Sequence, residues 1–174
     1  MTNTIVWIVA GVALLAFVGL YLYFYRKDKR SLANPAAPAA TAEQKASKQM
    51  QLAAYERLVI LAERIALPNL IARTNEPSLD KRAMQALLVQ TIKQEFEYNL
   101  SQQIYVSTEA WDAIRNLKEQ NIMIVNQLAS ILPEDMSGTE FNKKIVEFIM
   151  NQPQGSMHGL VQEALSYEAK KLLS

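Results

Sequence analysis

The 174-residue chain contains no cysteine and a single histidine, His158. The first absence excludes disulfides, thiolate metal centres and a cysteine nucleophile. The second excludes a multi-histidine metal cluster within one chain. Glycine and proline are sparse, five and six residues, and most stand at breaks between apolar stretches, which favours helices over a turn-rich sheet protein. Strand-like alternation is missing, and so is any repeat at solenoid spacing. There is no GxxxxGK[ST], no GxGxxG after a strand and no sheet to carry either. A broad basic field is also absent. Of the net charge of +1, RKDKR at 26–30 alone supplies +3, and beyond residue 42 the chain has 14 basic and 16 acidic groups. A mildly acidic domain lacks the electrostatic footprint of a nucleic-acid binder, so no nucleic-acid partner is expected.

What the chain does have begins with a long uncharged run, IVWIVAGVALLAFVGLYLYFY, 21 residues from 5 to 25. A helix of that length rises about 1.5 Å per residue and crosses a hydrocarbon core of roughly 30 Å. Trp7 near one end and Tyr21, Tyr23 and Tyr25 near the other suit the two interfaces. A cleavable signal peptide fits poorly. MTNT before the run carries no basic residue, the run is too long, and charges follow it where a small-residue cleavage site would stand. Residues 1–30 therefore read as a single-pass signal-anchor with a basic flank. The positive-inside tendency puts the N-terminus outside and the rest of the chain in the cytoplasm, with RKDKR against anionic headgroups. Gly11 and Gly19 are eight apart with Leu15 between them, which is no dimerisation motif. SLANPAAPAATA, residues 31–42, is a semi-stiff Ala/Pro tether.

Residues 43–174 divide at their punctuation into five helical stretches, the expected cytoplasmic bundle. The first runs from about 42 to 67 and stops at Pro68-Asn69. The second starts at Ser78 as N-cap and reaches Gln103, with Met84, Leu87, Leu88, Ile92, Phe96 and Leu100 on one broad face. IYVS, 104–107, looks like a short extended connector. The third, capped by Ser107 or Thr108, reaches Leu132 before Pro133. The fourth opens on Ser137-x-x-Glu140, a capping-box pattern, and the last covers 156–173. The expected fold class is all-α: one transmembrane helix, a tether and a bundle of about five helices.

Candidate site residues lie on the first two stretches. In AYERLVILAERIALPNL, 54–70, Glu56-Arg57 returns seven residues later as Glu63-Arg64, which sets like above like on a helix. Apolar residues surround these charges, so they must emerge through a narrow stripe or find partners. On the second stretch Glu95, Asn99 and Gln103 form a polar row at i, i+4 and i+8. A bond from Arg57 or Arg64 to Glu95 would fix the register of the two helices. The competing reading is a ligand or metal pocket with Glu56, Glu63, Glu95 and Glu97 as oxygen donors. Di-iron bundles use Glu-x-x-His pairs, however, and no Glu here has His three residues on. A structural polar network of Glu56, Arg57, Glu63, Arg64, Glu95, Asn99 and Gln103 is the preferred reading, with no cofactor and no metal.

Three residues are candidates for a partner surface. Ile114, Leu117, Asn121, Ile124, Leu128 and Ile131 trace a heptad seam with Asn121 inside it, which suits either packing within the bundle or self-association. Trp111, at a helix start, is either exposed for a partner or stapled to the core. Tyr167 lies on a last helix that either closes the bundle or docks elsewhere. His158 reads as an ordinary surface histidine.

AYERLVILAERI, then PNLIAR, then EFEYNLSQQIYVS with a tryptophan four residues later resemble an uncharacterised family of small single-span bacterial membrane proteins. The resemblance spans the anchor, the tether and the first three helices. It implies the same architecture in a bacterial cytoplasmic (inner) membrane and carries no activity or catalytic residue. The expected function is a non-enzymatic, membrane-tethered interaction or scaffold module with a protein partner or self-association. The alternative is a small-ligand or lipid-binding bundle lined by the polar row of the second stretch.

Overall fold

The computed structural model describes residues 42–151 and 157–173. Six α-helices follow in order: α1 (Ala42–Ile65), α2 (Leu67–Thr74), α3 (Lys81–Tyr98), α4 (Thr108–Ile131), α5 (Gly138–Met150) and α6 (Met157–Leu173), with a 3₁₀ turn (Leu100–Ile104) before α4. Among the described residues there is no strand, only an isolated antiparallel bridge between Asp80 and Ser137. The expected anchor at 1–30, the tether before residue 42 and Ser156 lie outside the described residues. None of the described helices is long and apolar enough to cross a membrane.

The sixth helix exists because Pro68 opens a helix as well as closing one. α1 stops at Ile65, Ala66 turns with ψ at 121°, and α2 starts at once with proline in its first turn. There the missing N–H has no intrahelical acceptor to lose, and the fixed φ is already helical. Leu67, Leu70 and Ile71 of α2 are buried, so the extra helix lays an apolar face on the core. The corner is tied from outside by buried Asn121, whose Nδ2 donates to the Ile65 carbonyl at 2.7 Å, one of the carbonyls a helix end leaves unpaired.

α3 begins two residues later than expected. Asp80, not Ser78, is the N-cap, its Oδ1 accepting from the Ala83 N–H at 2.7 Å, while Ser78 Oγ donates to Glu76. α3 also ends earlier, at Tyr98. Asn99 turns its amide back to the Glu95 carbonyl at 2.8 Å, which competes with continuation of the helix. The chain then tightens into the 3₁₀ turn, which takes Ile104 and leaves Tyr105 in a helical conformation, so of the expected extended connector 104–107 it is Ser107 that has extended dihedrals. Ser107 and Ser137 cap α4 and α5, the latter in a complete capping box with Glu140.

One core runs through all six helices. Leu58, Leu61 and Ile65 of α1 meet Leu70, Met84, Leu88, Ile92, Ile114, Leu117, Phe141, Ile145 and Leu165, all with essentially no exposure. Each such side chain stabilises the fold by about 1.5–3 kcal/mol relative to exposure. α1 packs chiefly on α6, and α3 on α4 and α5. Buried Lys81 ties the α3 start to the α4 end: its ammonium donates to the carbonyls of Ala129 and Leu132 at 2.9 and 2.8 Å and lies 3.5 Å from Glu134. A cation at a helix C-terminus meets both the dipole and the unpaired carbonyls.

Candidate functional site

α1 and α3 leave an open groove of about 650 Å³ between them. From α1 come Arg57, Ile60 and Arg64, spaced i, i+3 and i+7 along one stripe; from α3 come Thr91, Gln94, Glu95 and Tyr98, with Asn99 at the end. The apolar members face solvent: Ile60 is 57% exposed and Tyr98 75%. The 3₁₀ turn just beyond exposes Leu100 and Ile104 as well. Ile60 and Tyr98 thus give the groove solvent-facing apolar contacts.

The charges are arranged unevenly. Arg64 grips Glu95 with two bonds, Nε to Oε2 at 2.7 Å and NH2 to Oε1 at 2.6 Å. Arg73 of α2 reaches the same Oε1 at 3.3 Å and donates to the Arg64 carbonyl at 2.9 Å. The Arg64 hydrogen bonds are the main reason that the Glu95 carboxyl sits below its usual range, with Arg73 adding to the effect and partial burial opposing it. The Arg64 guanidinium is raised by the same contact. Arg57 does not reach Glu95; it lies over the Tyr98 ring, 5.5 Å from the centroid, within cation–π range. The groove therefore combines two guanidinium groups and one already paired carboxylate with apolar side chains. A carboxylate held ionised between arginines is poorly suited to general acid–base work, which calls for a pKa moved toward neutrality.

The remaining predicted residues scatter. Glu56 is exposed on α1. Glu63 turns toward α6: its Oε2 accepts from Asn69 Nδ2 at 2.6 Å, its Oε1 from Gln162 Nε2 at 2.7 Å, and His158 Nε2 stands 3.5 Å from Oε2. His158 is thus largely buried and not a plain surface residue, its side chain only 20% exposed. Asn99 is buried but serves the Glu95 carbonyl, and Gln103 is exposed in the 3₁₀ turn, so the polar row breaks where α3 ends. Two candidates for a partner surface are corrected. Trp111 is buried with its ring 5.0 Å from Phe96, and Asn121 is buried at the Ile65 carbonyl, because α4 is covered along most of its apolar face. Tyr167 is 53% exposed on α6.

A second polar cluster has no counterpart in the sequence reading. Glu168 Oε2 accepts from Tyr55 Oη at 2.5 Å and from Ser107 Oγ at 2.6 Å, while the Ser107 N–H donates to Tyr55 Oη at 3.1 Å. Burial first, then the Glu168 contact, raises the Tyr55 phenol. The cluster ties α1, the α4 cap and α6 together. A serine with helix-cap spacing was its one visible signal. Among the described residues no three His, Cys, Asp or Glu side chains gather as a metal cluster.

The sequence matches, over residues 1–172, the model of a family described as a family of unknown function (DUF7935). No curated protein and no solved structure matches the chain.

Proposed function

The chain belongs to that family of unknown function, and we propose that it is a non-enzymatic, membrane-tethered interaction module. In this reading residues 5–25 hold it in a bacterial cytoplasmic membrane with the N-terminus outside. The bundle then stands at the cytoplasmic face and takes an amphipathic helix of a partner protein into the α1–α3 groove. The groove carries the proposal. Ile60 and Tyr98 supply exposed apolar contacts for i, i+3 and i+4 anchors. Arg57, with no carboxylate held against it among the described residues, gives the rim a positive group that favours an acidic-apolar partner segment. The lowered, doubly bonded Glu95 supports a binding role over a catalytic one.

The test is photo-crosslinking from position 60 or 98 at native expression, with purification in mild detergent. The expected product is a protein adduct at both positions that is lost in Ile60→Glu and weakened by Arg57→Glu. Recovery of the chain alone, monomeric and without adduct, overturns the reading.

A second reading, a small-ligand or lipid-binding bundle, is favoured by one observation: the groove volume falls within the roughly 300–1,000 Å³ of ligand sites. In that case the purified chain carries a copurifying small molecule or lipid that Tyr98→Ala releases, and no protein adduct forms.

A further inference from the structure

Away from the groove, a smaller cavity of about 140 Å³ lies where the α1–α2 corner, α4 and the start of α6 meet. Its polar lining is Asn69, Gln120, Asn121 and His158. Two of these present side-chain atoms that are buried and have no hydrogen-bond partner: Gln120 Oε1 and His158 Nε2. A buried polar atom without a partner is costly, so two around one cavity point to a guest that satisfies both.

One lining residue, His158, also faces Glu63, which stands just outside the lining with its side chain 47% exposed. The His158 Nε2 to Glu63 Oε2 distance of 3.5 Å is too long for an N–H···O hydrogen bond, which runs to about 3.2 Å. It is, however, the spacing of two ligands on one tetrahedral ion: bonds of about 2.1 Å place neighbouring donor atoms roughly 3.4 Å apart. The carboxylate is already held for such a role. Asn69 Nδ2 grips Oε2 and Gln162 Nε2 grips Oε1, the arrangement in which outer amides orient a ligating carboxylate. Gln120 Oε1 adds a neutral oxygen donor on the same cavity.

We propose that His158 Nε2 and Glu63 Oε2 bind a divalent transition-metal cation of the zinc, cobalt or nickel class, with the Gln120 carbonyl as third donor and water completing the shell. One imidazole nitrogen with two oxygens suits these ions better than Mg²⁺ or Ca²⁺, which take oxygen alone. The site joins α1, α4 and α6, so the ion acts as a staple that holds α6 against the bundle. It does not use the groove and stands or falls separately from it.

The experiment uses the full chain in detergent, without a histidine tag, stripped with a chelator and titrated with Co²⁺ while visible absorption and thermal unfolding are followed. The expected result is a saturable d–d band together with a rise in melting temperature, both lost in His158→Ala. Because His158 is the only histidine, a band with imidazole character has one source. Asn69→Ala, which removes an orienting amide and no ligand, is expected to weaken Co²⁺ about tenfold or more. Gln120→Leu, with its fold checked by circular dichroism, is expected to weaken it as well. Absence of the band in the wild-type chain, or an equal melting shift in His158→Ala, overturns the proposal.

Discussion

At the scale of single residues, Glu95 is where charge and stability are most directly linked. Its carboxyl is lowered in the folded chain, so its contribution is fully present above the ordinary carboxylate pKa of about 4.3 and is lost as pH falls through the lowered value. Arg64 is 48% exposed against 13% for Glu95, so solvent screening holds the pair to about 1 kcal/mol. The expected outcome is that Glu95→Gln lowers the melting temperature by a few degrees at pH 7. The difference shrinks as pH falls below the ordinary carboxylate range and through the lowered value, and thermal scans over a descending pH series check this. Spacing in the sequence pointed to Glu95 and to two arginine candidates. It could not choose Arg64 over Arg57, because a seven-residue spacing leaves both on nearly one face. The choice depends on how far along α3 each guanidinium lands. Lys81 was illegible for a different reason: a lysine in a first turn reads as solvated, and its carbonyl partners lie 48 and 51 residues away.

At the scale of elements, the capping signals were the most legible part of the sequence. Ser107 and the Ser137–Glu140 box stand where their spacing put them, since a cap is a local bond between neighbours. Ends set by tertiary competition were not legible. α3 stops at Tyr98 because Asn99 bonds backward, and Pro68 sits in the first turn of α2 because Leu67, Leu70 and Ile71 around it have a core to enter. The α3 and α5 starts are paired by the Lys81 N–H to the Met136 carbonyl and the Gly138 N–H to the Leu79 carbonyl, at 3.0 and 2.9 Å. A Cβ at Gly138 would stand 2.8 Å from the Leu79 oxygen and 3.0 Å from Met84 Cβ. Helix propensity alone favours alanine by about 1 kcal/mol, whereas overpacking costs about 1–3 kcal/mol. Crowding by backbone oxygen leaves little room to relax, so Gly138→Ala is expected to lower the melting temperature by several degrees; a rise would show that the junction yields.

At the scale of the whole molecule, the all-helical class was legible from missing alternation and sparse glycine, while the partnering of helices was not. Periodicity says that a helix has an apolar face and is silent on which neighbour covers it. α1 buries Ala54, Tyr55, Leu58, Leu61, Ala62 and Ile65, while residues 44–50, Ala53, Glu56, Arg57, Ile60 and Arg64 are exposed. Its principal cover is α6, through Val161 and Leu165 and the Tyr55–Ser107–Glu168 cluster. Leu165→Ala is expected to cost about 2–5 kcal/mol, and Leu173→Ala, at 70% exposed, almost nothing. Chemical denaturation of the two variants side by side measures the difference. The α1–α6 pairing also sets a timetable for synthesis. Ile65 and Met157 are 92 positions apart, which a ribosome covers in roughly five to twenty seconds. Throughout that interval the face of α1 that α6 covers has no cover from it. A chain cut short before α6 is expected to be degraded faster than the full chain, which pulse-chase labelling measures.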